Sequence, residues 1–137
     1  MTTTPSQTVG PFYSIGLCRQ SDDVLDPEGV ELSGTLFDGR GDPIRDGMVE
    51  VWDAAAERWG RSTTDGEGRF HFRVRPDADV LEAFVFARGL LRHQRTRIHL
   101  RDDGAAEDAT LVARRTADGF LFDLHMQGER ATLFFAH

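Results

Sequence analysis

Along much of this chain apolar and polar residues alternate with the two-residue period of half-buried β-strands. Over residues 69–74, Phe70, Phe72 and Val74 share one face and Arg69, His71 and Arg73 the other. Over 120–127, Phe120, Phe122, Leu124 and Met126 line up in the same way. The stretch 81–100 combines two patterns. It opens with the continuous apolar run Ala83-Phe84-Val85-Phe86-Ala87, expected of a strand buried on both faces, and is interrupted at Arg88-Gly89. It returns as the alternating Thr96-Arg97-Ile98-His99-Leu100. Strands are predicted over 31–37, 48–53, 69–74, 81–87, 96–101, 110–115, 120–127 and 131–135, and no segment holds a helical period.

Asp-Gly pairs at 38–39, 46–47, 65–66, 103–104 and 118–119 punctuate these segments, and both residue types tolerate the positive φ of tight turns. Short strands, frequent turns and no helices predict an all-β fold: an antiparallel β-sandwich of about eight short strands over residues 30–137. Residues 1–29 read as an extended N-terminal arm. Pro5, Gly10 and Pro11 disfavour a helix there, and 21–29 is acidic and loop-like.

Composition narrows the class of protein. A chain of 137 residues with 39% hydrophobic positions and ten phenylalanines supports one core and one domain. A net charge of −7 argues against nucleic acid or an acidic membrane surface as the main partner. The lone Cys18 forms no internal disulfide, which fits a reducing compartment. No apolar run reaches the length of a membrane span, and the N-terminus lacks the layout of a signal peptide. The expectation is a cytoplasmic protein.

Candidate chemistry is sparse. His71, His93, His99, His125 and His137 show no metal-ligand spacing, and the alternation puts His71 and His125 on polar faces. Cys18 lacks a nucleophile signature, and Gly34, Gly39, Gly41 and Gly47 are too dispersed for a phosphate-cradling loop. Most carboxylates lie in turns, where Asp serves backbone geometry. Trp52 and Trp59 read as packing residues. Arg92, Arg95, Arg97 and Arg101 read as a solvated or partner-facing surface. Arg88 stands out, because a charge at the end of a buried strand must either be paired locally or face a cleft. The residues alone show no complete catalytic constellation.

Several motifs together nevertheless resemble one family. Thr4-Pro5-Ser6-Gln7-Thr8-Val9-Gly10-Pro11-Phe12 is similar to the arm of protocatechuate 3,4-dioxygenase subunits, which belong to the intradiol ring-cleaving dioxygenases. Asp38-Gly39, Pro43-Ile44, Asp46 and Val49-Glu50-Val51-Trp52 resemble the first hairpin of that family. Gly60-Arg61 through Thr64-Asp65-Gly66, followed by Gly68-Arg69-Phe70, matches its G-R-x-x-T-D-x-x-G-x-aromatic pattern. Phe86-Ala87-Arg88-Gly89, Thr96-Arg97, Asp102-Asp103 and the C-terminal Ala113-Arg114-Arg115 and Phe122-Asp123 resemble the alpha, iron-free type of chain.

The resemblance implies a β-sandwich acting beside an iron-bearing beta chain in a hetero-oligomer. In the family, the beta chain holds Fe(III) with two tyrosinates and two histidines, a donor set suited to a hard ion. That ion activates the catechol for attack by dioxygen, and the ring opens between the hydroxyl-bearing carbons. For protocatechuate (3,4-dihydroxybenzoate) the product is 3-carboxy-cis,cis-muconate, a step of aromatic catabolism. Here the only tyrosine is Tyr13, and the positions matching the paired histidines are Val80 and Glu82. The loops 53–58 and 76–80, which carry tyrosine ligands in the catalytic chain, are short. No metal, cofactor or catalytic residue is therefore expected in this chain, with Fe(III) in the partner. The resemblance nominates Thr8, Gly10, Pro11, Phe12 and Arg88 as substrate-binding residues: a side-chain-poor wall for a flat ring, and a positive charge for its anionic groups. The alternative expectation is a metal-free binding module of the same fold for an aromatic acid or a protein partner.

Overall fold

Two sheets face each other, and the residues between them are those the alternation selects. The computed structural model describes residues 22–87, 93–126, 131, 132, 134 and 135. Its strands are β1 (Val30–Phe37), β2 (Met48–Asp53), β3 (Arg58–Thr63), β4 (Arg69–Val74), β5 (Val80–Phe86), β6 (Gln94–His99), β7 (Arg114–Arg115), β8 (Gly119–Leu121) and β9 (Leu124–His125). One sheet runs β3-β2-β5-β6 and is antiparallel throughout. The other runs β4-β1-β8-β7, with β9 also on β1.

In the second sheet β1 pairs antiparallel with β4, matching Leu32 to Phe72, and parallel with β8, matching Leu32 to Phe120. These parallel contacts of β1 with β8 and β9 depart from an all-antiparallel sandwich. The core between the sheets is built from Leu32, Leu36, Phe70, Phe72 and Phe122 on one side and Val49, Val51, Leu81, Val85 and Ile98 on the other, all buried. Each large apolar side chain removed from water contributes about 1.5–3 kcal/mol.

Four predicted elements changed on folding. Residues 110–115 do not form one strand. The Asp108 carboxylate accepts from the Thr110 N–H at 2.7 Å and caps a 3₁₀ turn, Ala109–Leu111, leaving only the two-residue β7. The predicted 120–127 strand divides into β8 and β9, because Asp123 turns aside to accept from the Thr35 N–H at 2.9 Å. Among the described residues, the 131–135 strand is reduced to a single bridge between Arg95 and Phe135. The β5 run is inward-facing on one side only: Leu81, Ala83 and Val85 are buried, whereas Glu82, Phe84 and Phe86 are half-buried.

Strand β3 was not anticipated. Its inward positions are Gly60 and Ser62, too small to produce an apolar alternation. The space above Gly60 is filled by Leu25, whose Cδ1 would lie 2.5 Å from any Cβ added there. Leu25 is only 3% exposed, so this part of the acidic 21–29 stretch is anchored to the core. The Leu25 N–H donates to Arg73 O at 2.9 Å, and Asp22 O accepts from the Arg61 N–H at 2.8 Å.

Candidate functional site

The outer face of the β3-β2-β5-β6 sheet is where the structure gathers chemistry. With Leu81, Ala83 and Val85 turned inward, the period of β5 presents Val80, Glu82, Phe84 and Phe86 outward. Register then sets rows across the sheet. One row is Arg61–Glu50–Phe84–Arg95 and the next is Trp59–Trp52–Glu82–Arg97, with Val80 opposite His99 beyond them.

The charges on this face are engaged with neighbours. Arg61 pairs with Glu50 across the strands, and its guanidinium lies 4.8 Å over the Trp59 ring. Arg97 donates through Nη1 to Glu107 at 3.0 Å, and its Nε is 4.0 Å from Glu82. The Phe135 ring receives Arg97 at 4.7 Å and Arg95 at 5.8 Å. His93 contacts Phe84 and Phe86 with ring centroids 5.5 and 5.2 Å apart. Trp59 is 51% exposed and Val80 41%, so Trp59 is not the packing residue expected. They are the exposed large hydrophobic residues among those described, and they share this face. The arrangement of aromatic surface and charges already engaged with one another suits docking.

The nominated residues Thr8, Gly10, Pro11, Phe12 and Arg88 lie outside the described residues. The described chain begins at Asp22 and, after β5, runs to Ala87. Asp22 begins beside β3, at the edge of this sheet, and the buried Ala87 follows β5 at its end.

The ferric site of the resembled family can be tested directly on β5. Val80 offers no donor atom, and Glu82 is engaged with Arg97. Among the described residues no three of His, Cys, Asp and Glu stand together in a group able to hold a metal ion. The residues at these positions do not fit a ferric ion.

Other polar groups serve the fold. His71 is exposed and 2.7 Å from Asp23, and His125 is half-buried and stacks on Phe37 at 4.7 Å. Asp53, 2% exposed at the end of β2, receives Arg75 through Nε at 3.1 Å and Nη2 at 3.2 Å. That hydrogen bonding holds the Arg75 guanidinium above its ordinary pKa, against a smaller opposing effect of desolvation. The pair lines a cleft of about 230 Å³ with Leu25, Asp26, Ala56 and Arg58. Two acidic and two basic side chains balance there, which leaves no net field to select a charged ligand.

The Glu82–Arg97–Glu107–His99 cluster was missed in the sequence. Glu82 and Arg97 meet only through the β5–β6 register, and Glu107 comes from a loop with no periodic signal.

The chain has relatives. No protein-family model matches the chain. The protocatechuate 3,4-dioxygenase alpha chain of Burkholderia cepacia is 32% identical, over 96% of this chain and 96% of that protein. The chain belongs to the protocatechuate 3,4-dioxygenase alpha-chain family. The alpha chain of Pseudomonas putida is 29% identical over 96% of this chain and 95% of its own length. Among solved structures, hydroxyquinol 1,2-dioxygenase from Pseudomonas putida DLL-E4 superposes with a TM-score of 0.61. That likeness covers 94% of this chain and 68% of the other at 17% identity, and bears on fold alone. The alpha-chain family thus accounts for the sandwich and for the order of motifs from the Thr4-Pro5 arm to the C-terminal strands.

Proposed function

We propose that this chain is the iron-free alpha-type subunit of a protocatechuate 3,4-dioxygenase, an oxidoreductase subunit that is inactive alone. It works in a cytoplasmic hetero-oligomer with an iron-bearing beta chain. The assembly cleaves protocatechuate with O2 to 3-carboxy-cis,cis-muconate in aromatic catabolism. The observation that carries this reading is the identity to an alpha chain along 96% of both sequences. The unsuitability of Val80 and Glu82 as ferric ligands supports it independently.

In this reading the metal chemistry belongs to the beta chain, and this chain contributes binding surface. Gly10-Pro11 and Phe12, with Thr8, form a rigid wall beside the ring of the substrate, and Arg88 supplies positive potential to its anionic groups. Trp52, Trp59 and Val80 offer the apolar area for the partner.

The test is reconstitution. Mixed with its beta chain, this protein gives oxygen uptake on protocatechuate that it does not give alone. Replacing Arg88 by Ala raises KM by about tenfold or more, the worth of one charge-assisted hydrogen bond, with kcat much less affected. Uptake by this chain alone, or by the beta chain at full rate without it, overturns the proposal.

A further inference from the structure

The segment before β1 is held more firmly than a link to β1 requires. A turn at Asp26, closed by the Gly29 N–H donating to Asp26 O at 3.0 Å, is enough to deliver the chain to β1. Residues 22–25 instead cross from one sheet to the other as a strap. Asp22 O accepts from the Arg61 N–H of β3 at 2.8 Å, and Asp23 O accepts from the Arg73 N–H of β4 at 3.0 Å. Arg73 O receives the Leu25 N–H at 2.9 Å, and Arg58 of β3 donates through Nη1 to Leu25 O at 3.1 Å. The Asp23 carboxylate lies 2.7 Å from His71 Nε2. At the centre of the strap Leu25 fills a socket floored by Gly60, where an added Cβ would stand 2.5 Å from Leu25 Cδ1 and 2.8 Å from Asp22 O.

Edge protection explains part of this, because β3 and β4 are the outer strands of their sheets. The strap has a second consequence. It moves the fixed end of residues 1–21 from β1 to Asp22, on β3 of the opposite sheet. We propose that Leu25 is a positioning residue: seated against Gly60, it anchors the root of the N-terminal arm and so raises the effective concentration of Thr8, Gly10, Pro11 and Phe12 at the substrate. The inference rests on the subunit reading above, in which those residues wall the substrate, and adds what holds them near it. A tethered group acts at an effective concentration that falls roughly as the −3/2 power of tether length once the tether can span the distance. With the strap seated, the tether behind Phe12 is residues 13–21. With the strap released as far as Gly29, which packs closely on Val74 O, the tether becomes residues 13–28. The effective concentration then drops about two- to threefold.

The experiment measures oxygen uptake on protocatechuate by the assembly reconstituted with its beta chain, using wild type and four variants. Leu25→Ala empties the socket, and Leu25→Met refills it. A Gly/Ser insertion between Ser21 and Asp22, as long as residues 22–28, lengthens the tether equally and leaves the strap in place. Leu124→Ala, in the buried core away from the strap, controls for lost stability. Leu25→Ala and Leu124→Ala both melt about 5 °C or more below wild type. Only Leu25→Ala and the insertion raise KM, about two- to threefold with kcat unchanged. Leu25→Met and Leu124→Ala keep the wild-type KM.

A wild-type KM in the insertion variant overturns the inference, even where Leu25→Ala fails to fold. So does a wild-type KM in a folded Leu25→Ala, or an equal rise in Leu124→Ala. Any of these results, obtained beside an active wild-type assembly, leaves the subunit reading standing. No uptake by the wild-type pair overturns both.

Discussion

Gly34 sits in the middle of β1, where the backbone of Phe122 passes so close that a Cβ would lie 1.8 Å from its carbonyl oxygen. Phe122 cannot withdraw cheaply, because its N–H donates to Ser33 O at 2.8 Å. Gly34→Ala must therefore part β1 from this segment, with an expected loss of about 4 kcal/mol or more. Urea unfolding measures it, and a near-neutral result would mean that the chain crosses elsewhere. Arg75 gives a second prediction. Its removal strands the buried Asp53 carboxylate, yet Arg75 itself is partly exposed. Arg75→Ala should cost about 2 kcal/mol, between the values for exposed and buried pairs. Turn chemistry was legible at this scale. Asp38 Oδ1 accepts from the Arg40 and Asp42 N–H groups, and Asp65 Oδ1 from those of Glu67 and Arg69. The positive φ at these two turns falls on the later glycines, Gly41 and Gly68, which the dipeptide pattern does not reveal.

Among elements, the alternation over residues 69–74 folded as read, whereas that over 120–127 was broken at Asp123. Residues 69–74 became β4, with Phe70, Phe72 and Val74 buried and Arg69, His71 and Arg73 exposed. Elements decided by hydrogen bonds from side chains were not legible, because alternation does not register a competing cap. The clearest case is the turn capped by Asp108. Its carboxyl pKa is lowered chiefly by the hydrogen bonds from Thr110. A depressed folded-state pKa contributes stability above the unfolded value and loses it as pH falls through the folded one. The gap in unfolding midpoint between wild type and Asp108→Ala should be constant above about pH 4 and close below it. A gap that persists unchanged in acid would remove the carboxylate from the account. Strand β3 was hidden for a different reason: Gly60 and Ser62 make room for Leu25, and space filled from another segment leaves no apolar mark on the strand.

For the whole molecule, the fold class followed from strand length and turn spacing, and family membership followed from motif order. The residues proposed to bind substrate were nominated by resemblance alone: nothing in the alternation marks Thr8, Gly10, Pro11 or Phe12, and position left Arg88 open between a paired and a cleft-facing role. The described face adds what a sequence cannot carry, which residues meet across strands. It places Trp59, Trp52 and Val80 on one accessible surface and sets Arg97 opposite Glu82, with Glu107 also on its guanidinium. The central claim, a subunit that lends surface to a partner's iron, is tested most directly by tagging this chain, purifying it from its native cells and separating what comes with it. The account predicts a second chain, protocatechuate-dependent oxygen uptake by the pair, and iron that stays with the partner when the two are parted. A colourless protein without a partner, or iron retained by this chain alone, would contradict it.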